Sequence, residues 1–101
     1  MIDLAPDQLK QVIKILEQFV PDAKVWAFGS RIRMTANENS DLDLVIVGKE
    51  KIPQKTYYQI KDAFEESELP IKVDVLDWYR ISTEFQTNIK KQYELIYPMK
   101  P

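Results

Sequence analysis

"GSRIRMTANENSDLDLVIV" (residues 29–47) joins a Gly-Ser pair to a Leu-Val-Ile-Val run headed by two aspartates, Asp41 and Asp43. The apolar run, closed by Gly48, reads as a buried strand, so carboxylates at its head call for a reason. Upstream, "KVWAF" (24–28) reads as another short strand, ended by Gly29. The link from Ser30 to Ser40 is long enough for a turn of helix but short for a right-handed parallel crossover, so antiparallel pairing is expected. That pairing brings Gly29-Ser30 and Asp41-Asp43 to the same edge of the sheet and the same cleft.

Side chains alternate faces along a strand, so Asp41 and Asp43 point one way and Leu42, Leu44 and Ile46 the other. In a third strand, "IKVDVLDW" (71–78), Asp74 lies between Val73 and Val75 and likewise points away from an apolar face. Three carboxylates are thus expected on one side of the sheet. Asp77 has the opposite parity and reads as a strand-end or turn residue.

Around these strands, Leu9, Val12, Ile13, Leu16 and Phe19 recur at helical spacing, predicting a helix from about Pro6 to Phe19 that Pro21 and Asp22 break. Tyr57, Ile60, Ala63 and Phe64 predict a second helix over Lys55 to Glu68, with Pro70 marking its end. Ser82 to Tyr93 can form another, and "ELIYP" (94–98) is a short apolar end suited to a strand or a contact. Without repeats or linkers, residues 1–101 read as one α/β domain, a small sheet with helices mainly on one face.

A chain of 101 residues holds one core but no separate substrate domain. Its formal charge of −2 and isoelectric point near 5.1 argue against bulk nucleic-acid binding. It has no cysteine and no histidine, which excludes disulfides, thiolate catalysis, the usual zinc cages and the commonest general base. A metal here would be a hard, oxygen-seeking cation, Mg²⁺ or Mn²⁺. No signal-peptide layout and no apolar run near 20 residues is present, so a cytoplasmic protein without a membrane segment is expected.

Close carboxylates repel, and a divalent cation between them removes that cost. Mg²⁺ commonly takes one or two protein carboxylates and completes its shell with water and phosphate oxygens, so an acidic cluster beside a Gly-Ser turn suits a metal-bound triphosphate. Gly29 lets the backbone approach phosphates, Ser30 adds donors, and the short helix beginning near Arg31 contributes its positive end. Arg31 and Arg33 are candidates for neutralising phosphate charge, or simply a solvated helix face. An isolated Asp-x-Asp is ordinarily a solvated strand edge; the combination with Gly-Ser and Asp74 favours chemistry. A calcium loop from Asp41 would need glycine where Ile46 stands and glutamate where Ile52 stands, and a P-loop from Gly29 would need glycine at Met34 and lysine at Thr35. Trp26 and Phe28 read as core packing, while Trp78 and Tyr79 suit packing, a partner surface or base stacking.

Taken together, "GSRIRMTANENSDLDLVIV" and "KVDVLDW" resemble the minimal nucleotidyltransferases of the DNA polymerase β superfamily, whose pattern is strand, Gly-Ser, short helix, Asp-x-Asp and a later acidic strand. The resemblance covers almost the whole chain and implies a nucleotidyltransferase fold with a mixed sheet. It assigns Gly29 and Ser30 to phosphate binding, and Asp41, Asp43 and Asp74 to catalysis on two Mg²⁺ ions. One departure is Met34, where family members frequently carry glycine. The resemblance further implies AMP transfer from ATP to a tyrosine of a HEPN-domain toxin, with this chain as the antitoxin in a hetero-oligomer. A module that neutralises such a partner by contact alone is the alternative. Transfer to RNA or to a small molecule fits less well, given the acidic balance and the short chain.

Overall fold

The computed structural model describes residues 4–33 and 41–98, without the side chain of residue 33. Four strands form one sheet in the order β3-β2-β1-β4, where β1 is Lys24–Phe28, β2 Leu42–Val47, β3 Val73–Asp77 and β4 Glu94–Tyr97. β1 runs antiparallel to both β2 and β4, whereas β2 and β3 are parallel, so the sheet is mixed. The parallel pair is joined by α3 (Gln54–Glu65), the crossover that such a pair requires.

One face of the sheet carries the core. Val25 and Ala27 of β1, Leu42, Leu44 and Ile46 of β2 and Val75 of β3 lie at 0 to 1% exposure there. They form one cluster with Val12, Ile13 and Leu16 of α1 (Pro6–Phe19) and Ile60 and Phe64 of α3. α1 keeps the expected bounds, with Pro6 in the first turn where its missing N–H is harmless. α3 stops at Glu65, short of Glu68, because the Ser67 hydroxyl donates to the Phe64 carbonyl at 2.6 Å and turns the chain before Pro70.

The opposite face is covered more thinly. Trp26 and Phe28, expected in the core, instead form an aromatic layer on this side. The Trp26 ring stacks on Tyr93 at 4.1 Å and meets Trp78 edge-on at 5.3 Å, while Phe28 meets Phe85 edge-on at 5.9 Å. Strand alternation is the reason: Val25 and Ala27 take the helix-covered face, and their neighbours are left with the other. Phe85 belongs to α4 (Thr83–Lys91), a helix shorter than Ser82 to Tyr93 because Ser82 is its N-cap, accepting the Phe85 N–H at 3.1 Å, and Gln92 is already extended toward β4. The apolar end thus supplies a fourth strand, burying Ile96 and Tyr97 and leaving Leu95 exposed.

Among the described residues, no helix is long and apolar enough to cross a membrane.

Candidate active site

Asp43 is flanked on both sides by the residues the sequence singled out. In the register it stands opposite Phe28, the residue before Gly29, and on the other side beside Asp74 of β3. Residues paired across a sheet share a face, so the two half-buried carboxylates are neighbours on the thinly covered side. Asp41 precedes β2 with the same parity and is exposed.

Gly29 has a local reason to be glycine. Its φ of +82° lies in the left-handed region, and a Cβ added there would run into the carboxylate of Asp43. The turn therefore brings bare backbone against the acid, leaving room that a side chain would fill. From this turn α2 (Ser30–Arg33) begins, its Ile32 N–H donating to the Gly29 carbonyl at 3.1 Å. Ser30 is half-buried and Arg31 is buried at 7% exposure, so Arg31 is not part of a solvated helix face. The Arg33 side chain, and with it Met34, lies outside the described residues.

The donor set fits a hard dication. Among the described residues the oxygen donors offered at this edge are carboxylate, hydroxyl and backbone groups, and two carboxylates from adjacent strands are the protein share that Mg²⁺ commonly takes. Among the described residues no three acidic side chains close on a single point. Mutual repulsion opposes such a gathering unless a cation is there to offset it.

Two grooves border the site. One, of about 380 Å³, opens beside Gly29 and is lined by Phe28, Phe85, Asn88, Ile89 and Gln92 among others. The other, of about 660 Å³, has Asp74 as a wall and runs between the end of α3 and residues 69–73. Neither Phe85 and Asn88 nor Lys61 and Lys72, which line them, stands out in the sequence, because each looks like an ordinary exposed residue of a helix or turn.

Asp77 is built differently. It is 1% exposed on the core face of β3, accepting the Ile52 N–H at 2.9 Å and the Tyr79 N–H at 3.1 Å. Arg80 closes the set with an ion pair at 2.5 Å, and the same Nη1 donates to the Ile52 carbonyl at 2.8 Å. The strand-end role expected of Asp77 is thus a structural one, capping the 3-10 turn Trp78–Arg80 and tying it to the entry of α3. Trp78 and Tyr79 are engaged in packing too: Lys90 lies over the Trp78 ring, and the Tyr79 hydroxyl donates to the Gly48 carbonyl at 2.7 Å.

Known proteins resemble this chain in sequence and in fold. Residues 10–101 match the polymerase β nucleotidyltransferase family. A protein from Haemophilus influenzae named "Probable protein adenylyltransferase MntA" is 44% identical over 95 residues, covering 94% of this chain and 83% of that protein. Among solved structures, a toxin–antitoxin with AMP-PNP superimposes with a TM-score of 0.74 at 22% identity, over 88% of this chain and 72% of that one. A tri-AMPylated Shewanella oneidensis HEPN toxin in complex with MNT antitoxin gives a TM-score of 0.67 at 17% identity, over 89% of this chain and 69% of that one. At such identities the two structures speak for the fold, whereas the sequence matches speak for descent. Matched from residue 10 to its end and 44% identical to a relative it largely spans, the chain belongs to the polymerase β family of nucleotidyltransferases.

Proposed function

We propose that residues 1–101 act as one minimal nucleotidyltransferase domain that transfers AMP from ATP to a tyrosine of a HEPN-domain toxin, and that this modification is how it serves as antitoxin. The observation that carries the reading is the rung across the sheet. The residue before Gly29, then Asp43, then Asp74 stand side by side on one face, so the Gly-Ser turn and an acid pair share an edge. The relative named as a protein adenylyltransferase supplies the acceptor class, and the fold shared with toxin–antitoxin structures supplies the biological setting.

Gly29 and Ser30 would receive the β- and γ-phosphates on backbone and hydroxyl donors, with Arg31 and Arg33 adding charge near that end. Asp41, Asp43 and Asp74 would hold Mg²⁺, two ions in the arrangement the family implies and Mn²⁺ as a substitute, and the bound cations would neutralise phosphate charge and acidify the acceptor hydroxyl. Asp74, on β3 beyond β2 from the Gly-Ser turn, would help to take the acceptor's proton in a chain without histidine. The acceptor oxygen bonds to the α-phosphorus as the bond to the bridging oxygen breaks, and that oxygen leaves with its electron pair in pyrophosphate.

Intact-mass spectrometry of the HEPN-type partner, incubated with this protein, Mg²⁺ and each nucleoside triphosphate in turn, tests the reading. An AMP increment that vanishes with Asp41→Ala and Asp43→Ala supports it. A stable complex without any increment replaces it with neutralisation by contact.

A further inference from the structure

We infer that the aromatic layer on the thinly covered face continues into a docking surface, formed by the end of α4 and by β4, for an apolar segment flanked by acidic residues on the protein that carries the acceptor tyrosine. The inference rests on the proposed transfer reaction and adds to it where the partner is held while its tyrosine reaches the acids. A protein acceptor has to approach the face that bears Asp43 and Asp74, and two carboxylates beside a turn bury too little surface to hold it.

That face supplies apolar anchors next to the site. Of the five large apolar side chains left exposed among the described residues, Phe85, Tyr93 and Leu95 lie on this side. Leu95 pairs with Trp26 and so shares its face, Tyr93 stacks on the same Trp26 ring, and Phe85 meets Phe28, the residue opposite Asp43. From Leu95 to Asp43 is two strand spacings across and two residues along, about 12 Å. One protein interface spans that distance, so a partner resting on β4 can still reach the acids. Strand pairing and ring stacking fix Leu95 and Tyr93 in advance, which lowers the ordering cost of binding.

Charge indicates the chemistry of the partner. Lys90 and Lys91, both exposed, close the last turn of α4. The Lys90 ammonium lies 5.5 Å from the centre of the Trp78 ring, which holds it over the aromatic layer, and Lys91 lines the groove beside Phe28. The neighbouring acids are placed elsewhere: Glu84 sits in the first turn of α4, and Glu94, paired with Ala27, shares the core face. In a chain with a formal charge of −2 this is a local basic spot, complementary to acidic residues that flank an apolar segment. A second copy fits less well, because a two-fold contact through this surface sets Lys90 and Lys91 against their own counterparts.

The test is the affinity of the full chain for the intact HEPN-type partner protein without nucleotide, measured by titration calorimetry. It compares the unmodified chain with Lys90→Glu plus Lys91→Glu, with Leu95→Glu, and with a control, Lys10→Glu plus Lys14→Glu, on the exposed side of α1 across the sheet. Kd should rise about tenfold in the first two variants and stay within about twofold in the control. In AMP transfer the partner KM should rise while kcat stays within about twofold. Every replaced side chain is exposed, and thermal unfolding checks that each variant folds; should Leu95→Glu fail to fold, the lysine pair decides. An unchanged Kd in folded variants, or an equal rise in the α1 control, overturns the docking surface. So does self-association of the unmodified chain that Leu95→Glu abolishes, which assigns the surface to a second copy. Binding that follows these predictions without AMP transfer supports the surface and overturns the transfer reaction alone.

Discussion

Asp74 and Asp77 stand three residues apart on β3 and face opposite sides of it. Asp77 turns into the core face, where two backbone N–H groups and the Arg80 guanidinium meet its oxygens. Asp74 turns to the thinly covered face, where the register sets Asp43 beside it and so answers one negative charge with another. The protein itself satisfies the first carboxylate, while the second is placed so that an external cation is its natural complement. Burial and hydrogen bonding thus separate a structural acid from a functional one, although the two are the same residue type in the same short strand.

The largest effect should come from breaking the Asp43–Asp74 pair. Asp43→Ala is expected to lower AMP transfer by about 10²-fold or more, since it removes a group facing the reacting phosphate. The variant should stay folded, because Asp43 is half-buried and lies outside the core cluster. Transfer and thermal unfolding measured on one preparation check both halves.

Asp77→Ala should do the reverse. Losing one partner of a buried ion pair and stranding two backbone donors is expected to cost about 3 to 5 kcal/mol, which lowers the melting temperature of a domain this size by more than about 10 °C. Below its transition the folded fraction should still transfer AMP. Denaturant titration at low temperature together with the mass assay would reveal whether the two acids are as separate as their surroundings.

Gly29→Ala joins the two readouts at one position. A left-handed φ strains alanine by about 1 to 3 kcal/mol, and its methyl would press on the Asp43 carboxylate. Adding Asp43→Ala to Gly29→Ala should return part of that stability, a non-additivity that a double-mutant cycle reads directly. Full additivity would place the cost in the backbone alone.

The smallest change belongs to the exposed rim. Tyr79→Phe removes a hydroxyl bond to the Gly48 carbonyl at a residue 43% exposed, and about 0.5 kcal/mol or less is expected because water replaces the lost partner. A larger loss in denaturant titration would make the 3-10 turn part of the Asp77 hub instead of its fringe.

Much of this architecture is legible in the chain. Pro6 and the helical spacing of Val12, Ile13 and Leu16 mark α1, and the alternation around Asp74 marks β3 and the direction each aspartate faces. The brevity of the link after Gly29 already favours the antiparallel pairing observed between β1 and β2. Less could be read where a residue has two suitable homes. Trp26 and Phe28 have the apolarity of core residues, yet only the choice of which face the long helices cover sends them to the aromatic layer. Arg31 has the look of a surface residue, and its burial depends on how the four-residue helix seats against β1 and β2.

By itself the sequence determined the periodicities, the parity of each acid within its strand and the end of β1 at Gly29. These are local, since they depend on covalent geometry and on neighbours a few positions away. Only the tertiary structure decided that Asp43 lies beside Asp74, that Asp77 meets Ile52 and Arg80, and that a groove opens at Asp74. Those contacts join residues about 25 to 31 positions apart, except the local Arg80 pair, and register between strands is set by how the whole core closes.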